Sequence, residues 1–383
     1  MKFGEPSPNA TSTHSSKDSN LMFLVIPGNP GVIEYYEKFM ETLYLANGKK
    51  IPVWGISHTG HVSTKHMDGT VKISTGSSAG IFSLQDQIEH KLAFIQHFVP
   101  SQTSLILIGH SIGCRLTNET SLEQQVQHKL LFIKAHIPRH TRLILVSHSI
   151  GCFINLRLLP HLGKQSYYNF FLFPTIERLS SSFAGRIICA FSPFFFLIRW
   201  LLLTLVFLLS FLSTRIQSGI IRTYFGRSVV DECILRATTS IFDTSCVDYS
   251  FTLGQEELKV VKELDKDLVE KHIDRISFYY GWNDHWCPIE FGYNMKRHFP
   301  SADVRFCENK IEHAFVLRFS DKMAAIVNEW FHRIYNAKTE RRTVQNGQNK
   351  TNTSETIHNV TLYENGESED VFRVEKKFQN KLL

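Results

Sequence analysis

The feature that most constrains this chain is an apolar run that ends in a serine-containing turn and continues into a helical pattern. The run covers residues 143–152, LILVSHSIGC, and residues 153–159 follow with apolar side chains at helical spacing. This is the strand, tight turn and helix that a nucleophilic serine requires, with small residues on either side of it. We therefore predict an α/β protein in which Ser149 lies at the turn.

The same stretch occurs earlier in the chain. Residues 105–114 read LILIGHSIGC and place a second serine, Ser111, in an equivalent turn. A helical pattern precedes each copy, so the repeated helix, strand and turn cover residues 83–114 and 121–152. Two copies do not make a solenoid, which needs at least three repeats. An in-frame repeat of this kind is what two alternative exons read together would give, so a gene-model error is one explanation.

The composition is that of a globular protein. Hydrophobic residues make up 43% of the 383 residues and charged residues 20%. The formal net charge is +6, but the Lys and Arg residues are scattered and lack zinc-finger or stacked-aromatic spacing, so we expect no nucleic-acid binding. The seven cysteines are an odd number without a C-x-x-C pair, which is typical of reduced thiols in the cytosol.

We divide the chain into three parts. Residues 1–20 are a polar leader that lacks the apolar core of a secretory signal. Residues 21–336 alternate strand and helix patterns, which predicts a mostly parallel sheet covered by helices on both faces, with an apolar cap insert over about 178–255. Residues 337–383 are rich in Asn, Thr, Glu and Lys, and we predict that they are disordered.

Three chemically useful residues follow predicted strands in the order Ser, Asp, His. The serine is Ser149 or Ser111, Asp284 follows the strand pattern at 275–281, and His313 follows the one at 303–307. Functional groups of parallel sheets gather at the carboxyl ends of the strands. A serine needs an imidazole to take its proton, and the imidazole needs a carboxylate to hold its tautomer. The order predicts a hydrolase triad.

At this point the chain resembles the lipid droplet-associated hydrolases. The resemblance covers roughly residues 20–336, and its strings are IPGNPG at 26–31, ISHTGH at 56–61, QIEHKL at 87–92, GHSIG at 109–113, FLFPTIER at 171–178, FYYG at 278–281 with Asp284, and EHAF at 312–315. It implies an α/β-hydrolase fold without the first strands. It also implies the nucleophile at the turn serine, the acid at Asp284 and the base at His313.

The resemblance further implies a serine esterase that acts on neutral lipid esters, of sterol ester or acylglycerol type. The expected location is the lipid droplet surface, with the endoplasmic reticulum or cytosol as a secondary pool. The alternative is a weak or inactive droplet-surface protein that binds lipid or partners. We expect no cofactor and no metal site, since His58 and His61 lack a carboxylate or cysteine to complete a ligand set. The oligomeric state stays open.

Only one of the two serines can meet Asp284 and His313, because a shift by one strand moves a side chain by ~4.8 Å. We favour Ser149, since an uninterrupted helical pattern follows it, whereas the residues after Ser111 form a poor helix. The upstream strings favour Ser111, which stays open. The oxyanion donors would be the N–H of Ile150, or of Ile112 in the first copy, and one from the turn at Gly28 and Asn29.

The predicted cap contains a strongly apolar segment that begins at Ile187 and ends at Leu212. Three interpretations are open: a buried core helix, a lid or surface-inserting hairpin, and a membrane span. Pro193 and Arg199 divide the segment into pieces too short to span a bilayer alone. A droplet has a single lipid monolayer, so we favour a hairpin that lies in its surface.

Overall fold

The computed structural model describes residues 1–5, 21–28, 31–58, 84–100, 103–110, 122–137, 143–226 and 230–352. These residues contain one sheet of eight strands in the order β1-β3-β2-β4-β5-β6-β7-β8. The strands are β1 Lys2–Phe3, β2 Leu21–Ile26, β3 Val53–Gly55, β4 Ser104–His110, β5 Leu143–His148, β6 Ser166–Leu172, β7 Ile276–Tyr280 and β8 Asp303–Phe306.

All neighbouring strands are parallel except β1, which pairs antiparallel with β3 at the edge. The prediction of a mostly parallel sheet is therefore confirmed. The sequence pattern predicts no helix or strand in residues 1–20, yet Lys2 pairs with Trp54 and Phe3 with Val53. A strand of two residues has no periodicity to detect, and its pairing partner lies far away in the sequence.

Twelve helices occur in the described residues. They are α1 Glu37–Ala46, α2 Leu84–Phe98, α3 Leu122–His136, α4 Ile150–Leu162, α5 Phe183–Ala190, α6 Phe195–Ser210, α7 Thr214–Tyr224, α8 Glu232–Thr238, α9 Thr244–Val260, α10 Lys266–His272, α11 Ile289–His298 and α12 Ser320–Asn352. Short 3₁₀ turns cover Ile33–Tyr36, Leu179–Ser181, Ser192–Phe194, Thr239–Phe242, Ile273–Arg275 and Phe315–Leu317.

Helices cover both faces of the sheet because successive strand residues point to opposite sides. On one face Met22, Leu24 and Phe171 pack in a core with α2, α3, α4 and α11. On the other face Phe23 and Phe170 contact α12, with ring centroids 5.3 Å from Phe331 and 5.2 Å from Trp330 respectively. The strands are apolar on both faces, as buried parallel strands are.

Both copies of the repeated unit contribute a strand to the centre of the sheet. β4 from the first copy pairs with β2, and β5 from the second copy pairs with β4 and β6. Gly109 lies opposite Ser147 and His110 opposite His148, so β4 and β5 end level with each other. Only the second turn is described, since Ser111 and Ile112 lie outside the described residues.

The apolar segment from Ile187 to Leu212 begins inside α5 and ends just after α6. Pro193 separates the two helices within the 3₁₀ turn Ser192–Phe194. The prediction that Arg199 also divides the segment is wrong, because Arg199 lies inside α6 and its guanidinium pairs with Asp248 of α9 at 2.5 and 2.8 Å. Arginine is a good helix former, so α6 continues through this position.

The C-terminal region differs from the predicted disorder. Helix α12 continues from Ser320 to Asn352, past the predicted start of the tail at residue 337, and residues 353–383 lie outside the described residues. Its extension is explained by good helix formers such as Ala337, Lys338 and Glu340. The chain divides into two compact units, Met1–His332 and Arg333–Leu383, and the site below lies in the first.

Candidate active site

The turn between β5 and α4 holds Ser149 in a backbone conformation that side chains rarely adopt, with φ 55° and ψ −132°. Its N–H donates to the Leu172 carbonyl at 3.0 Å, and its carbonyl accepts from the Cys152 N–H at 2.9 Å. Strain at a non-glycine residue persists only where the surroundings hold it, and it is common at functional sites. The turn therefore fixes the Ser149 side chain above the end of the sheet.

The turn departs from the G-x-S-x-G pattern at the residue two before Ser149. Ser147 stands where the first copy has Gly109. Its hydroxyl is buried and accepts a hydrogen bond of 2.9 Å from the Asn155 side chain of α4. A serine is small enough for the tight approach of strand and helix, and Asn155 satisfies its hydroxyl.

Asp284 lies in the loop after β7 and is held from two sides. Its Oδ1 accepts from the backbone N–H groups of Trp286 at 2.8 Å and Cys287 at 2.9 Å. Its Oδ2 lies 2.6 Å from Nδ1 of His313. The carboxylate is almost fully buried, so its orientation is set by these bonds.

His313 lies in the loop after β8 and joins the other two residues. Its Nδ1–H donates to Asp284, and its Nε2 lies 2.9 Å from Ser149 Oγ, at the distance of an O–H···N hydrogen bond. The three side chains thus form one continuous chain of hydrogen bonds. This arrangement can make a serine nucleophilic, because the imidazole accepts the serine proton while the carboxylate stabilises the imidazolium.

The two predicted oxyanion donors differ in their position. Ile150 is the first residue of α4, so its N–H has no partner within the helix and lies at the positive end of the helix dipole. Asn29 lies outside the described residues, and Gly28 follows β2. Because β4 stands between β2 and β5, Gly28 is two strands, ~9.6 Å, from the strand that carries Ser149.

His148, the residue before the serine, has no role predicted from the sequence. Its Nε2 lies 2.8 Å from the backbone carbonyl of His313, and a carbonyl can only accept, so Nε2 carries the proton. The two imidazole rings lie 4.8 Å apart. His148 therefore ties the end of β5 to the loop of His313. A histidine before the serine is visible in both copies, but its partner is not.

Thr175 is the second residue of the site that was not predicted from the sequence. It lies in the loop after β6, is buried, and its hydroxyl is 3.5 Å from Ser149 Oγ. The Thr175 N–H also points to the Ser149 carbonyl at 3.4 Å. Thr175 thus contacts the serine from the side of β6, opposite to the side of β4.

The cysteines beside the site are not competing nucleophiles. Cys152 and Cys287 are fully buried, and burial raises the pKa of both thiols well above its usual value. The Cys287 thiol donates to the Pro174 carbonyl at 3.0 Å. Only a thiolate attacks an ester efficiently, so these side chains have a packing role.

The chain is similar to one protein family over most of its length. A family model described as lipid-droplet associated hydrolase matches residues 19–120 and 115–316, two matches that meet within the repeated region. The human protein named lipid droplet-associated hydrolase is 33% identical over 318 residues, 82% of this chain and 85% of the human chain. The chicken protein of the same name is 30% identical over 313 residues, 81% of this chain and 84% of the chicken chain.

Similar solved structures include two hydrolases of low sequence identity. A lipase-esterase related protein from Clostridium acetobutylicum is 10% identical, with a TM-score of 0.44 over 83% of this chain and 97% of that chain. A thermophilic esterase from Thermogutta terrifontis is also 10% identical, with a TM-score of 0.41 over 87% of this chain and 92% of that chain.

Proposed function

Because the chain belongs to the lipid droplet-associated hydrolase family, a family of α/β hydrolases, we propose that it is a serine carboxylester hydrolase acting on neutral lipid esters of sterol ester or acylglycerol type. The observation that carries the proposal is the hydrogen-bonded chain from Ser149 Oγ through His313 to Asp284. Ser149 is the nucleophile in this proposal, His313 is the general base, and Asp284 is the carboxylate that orients and stabilises His313.

The proposed reaction follows from the positions of these groups. Ser149 Oγ attacks the ester carbonyl while His313 Nε2 accepts its proton, and Asp284 stabilises the imidazolium. The Ile150 N–H stabilises the oxyanion that forms. His313 then gives the proton to the leaving alcohol, and a water molecule activated by the same imidazole releases the fatty acid from the serine.

The test compares the two serines. A fluorophosphonate probe labels only an activated serine, so Ser149→Ala abolishes labelling, whereas Ser111→Ala leaves it intact. Ester turnover falls by about 10³-fold or more in Ser149→Ala and His313→Ala, because triad residues fail as a unit. Labelling that survives Ser149→Ala and is lost in Ser111→Ala would move the nucleophile to the first copy.

The alternative is that the protein has the same fold but little or no catalytic activity, and binds lipid or partner proteins at the droplet surface. It is favoured by the separation of Gly28 from Ser149 by one inserted strand, since an incomplete oxyanion hole lowers the rate. A folded protein that binds droplets but is not labelled at all would support this alternative over an esterase.

We also propose that the protein lies on the surface of lipid droplets, as the names of its relatives in human and chicken state for those proteins. Helix α6 carries a row of exposed apolar side chains, here called the α6 surface: Phe196, Leu197, Trp200, Leu201, Leu205 and Leu208. Such a continuous apolar patch is rare on a monomer in water. Burial in a lipid monolayer removes it from water without requiring a second aqueous face.

The opposite side of α6 is held by the domain. By length and composition the helical stretch Ser192–Ser210 could cross a membrane, with a mean hydropathy of 2.1. However, Arg199 pairs with Asp248, and the Phe195 ring stacks on Phe251 with centroids 4.9 Å apart. A span would separate these partners. We therefore propose that α6 lies in the lipid surface rather than across it.

Three substitutions on the α6 surface test this location. Leu201, Leu205 and Leu208 are 52%, 52% and 60% exposed, so burying the remainder of each is worth about 1 kcal/mol. Changing all three to Gln costs about 3 kcal/mol of binding, roughly a 150-fold weaker partition onto artificial droplets in a flotation assay.

The matched control changes Leu45, Leu131 and Val260 to Gln. These side chains are 51%, 61% and 39% exposed but lie on other helices. The control floats like the unchanged protein. Equal loss of flotation in both triple variants would mean that binding follows general hydrophobicity and not the α6 surface.

A further inference from the structure

An apolar cavity lies beside the loop that carries His313. It is a cavity of about 520 Å³ between the N-terminal turn of the domain, helix α7 and the segment that follows His313. Its walls include Val32, Ile221, Phe242, Ala314 and Val316. This volume is within the range of pockets that bind small molecules.

Two buried tyrosine hydroxyls on its walls are engaged within the protein. The Tyr35 hydroxyl donates to Thr238 Oγ1 at 3.2 Å, and the Tyr36 hydroxyl accepts from the Gly28 N–H at 3.5 Å. Burial raises the pKa of Tyr35 to about 12 and keeps this hydroxyl neutral. A ligand that fills the cavity therefore meets mainly carbon, and a hydrocarbon chain suits it better than a polar molecule.

The walls of the cavity bring together two parts of the molecule that matter for a lipid ester. One wall residue is Ala314, the residue after His313. Others are Ile220, Tyr224 and Ile241, whose side chains are exposed at the surface. Ile220 and Tyr224 belong to α7, which follows the α6 surface in the chain. The same cavity is therefore lined by a neighbour of His313 and by surface residues of the cap.

We propose that this cavity binds the acyl chain of the ester substrate. The inference rests on the proposed function and adds the site that selects chain length. The acyl chain is the part that sterol esters and acylglycerols share, so one cavity serves either class. Each methylene that enters the cavity raises kcat/KM about fourfold until the cavity is full.

The test fills the cavity from its wall. Ile221 is 4% exposed, and Ile221→Trp occupies space inside the cavity, whereas Ile216→Trp, at a 52% exposed position of the same helix, serves as the control. We measure kcat/KM with p-nitrophenyl esters from four to sixteen acyl carbons. Ile221→Trp lowers the ratio of kcat/KM for palmitate to kcat/KM for butyrate at least tenfold, and the control keeps the ratio of the unchanged protein. Equal losses on butyrate and palmitate overturn the proposal.

A binding measurement separates this inference from the proposed catalysis. The probe is a dansyl-labelled undecanoic acid, whose fluorescence rises in an apolar site, displaced by palmitate. The unchanged protein and Ile221→Ala bind it, and Ile221→Trp binds at least tenfold more weakly; equal binding by all three overturns the inference. If the unchanged protein hydrolyses no ester, the proposed function fails, and this measurement alone decides the cavity.

Discussion

Removing one copy of the repeat is expected to increase the catalytic rate. A deletion of residues 111–148 joins His110 directly to Ser149 and leaves one strand, one serine turn and α4. The strands are interchangeable, because Gly109 lies opposite Ser147 and both runs begin Leu-Ile-Leu. The preceding helices also match in sequence, since Leu84, Ile88, Leu92 and Ile95 of α2 stand at the positions of Leu122, Val126, Leu130 and Ile133 of α3.

The magnitude follows from the strand spacing. In the full chain β4 separates β2, and the turn after it, from the strand of Ser149. The deletion brings that turn closer by one strand, ~4.8 Å, which is the difference between an absent and a present hydrogen bond to the oxyanion. One oxyanion donor is worth about 10²–10³ in kcat. We therefore expect kcat to rise by about 10²-fold, with a smaller change in KM.

The assay is turnover of p-nitrophenyl butyrate, with the active-site concentration fixed by fluorophosphonate titration. Asn29→Pro removes one N–H from the turn and is the matched control. It cancels the gain in the deletion variant and has little effect on the full chain. A deletion variant that melts cooperatively and is labelled at Ser149, yet turns over at the rate of the full chain, would refute the reasoning.

Three further outcomes are expected. His148→Leu removes the hydrogen bond to the His313 carbonyl and lowers kcat about tenfold with little change in KM, while His148→Gln recovers part of the rate and the pH profile keeps its shape. Burial raises the pKa of the partly buried Glu257 to about 8, whereas its pKa in the unfolded chain is about 4.5. The folded protein therefore loses stability as the pH rises from 4.5 through 8, because the buried carboxyl group must ionise. Glu257→Gln is expected to melt higher than the unchanged protein at pH 8 and at the same temperature at pH 4.5. A double-mutant cycle with Arg199→Met and Asp248→Asn, measured by urea unfolding, gives a coupling of about 1 kcal/mol, and zero coupling would mean that the pair does not hold α6.

The sheet and the order of its chemical groups were predictable because their signals are local. An apolar run before Ser149 and a helical pattern after it specify a strand, a turn and a helix without reference to the rest of the chain. Asp284 and His313 were found in the same way, as polar residues directly after strands. The structure brings the three predicted residues within hydrogen-bond distance, and their catalytic roles stay a prediction.

The features that could not be predicted from the sequence depend on pairing between distant residues. Both copies of the repeat contribute a strand, and nothing local decides whether β4 stands beside β2 or outside the sheet. The partner of Arg199 lies 49 positions away, so the sequence shows only an isolated cation that divides an apolar segment. His148 likewise gains its role only through the carbonyl of His313, which lies 165 positions away.

The cap is attached on both sides of the proposed triad, and this has a consequence for substrate access. At the start of α5 the Ala184 N–H donates to the His285 carbonyl at 3.0 Å, beside Asp284. At the end of α7 the Phe225 carbonyl accepts from Arg318 at 3.3 Å, in the segment after His313. A lipid surface that binds the cap would therefore lie next to the end of the sheet that carries the proposed triad. Hydrolysis of a water-soluble ester does not need that surface, so loss of the α6 surface should lower activity on droplets and leave activity on the soluble ester unchanged.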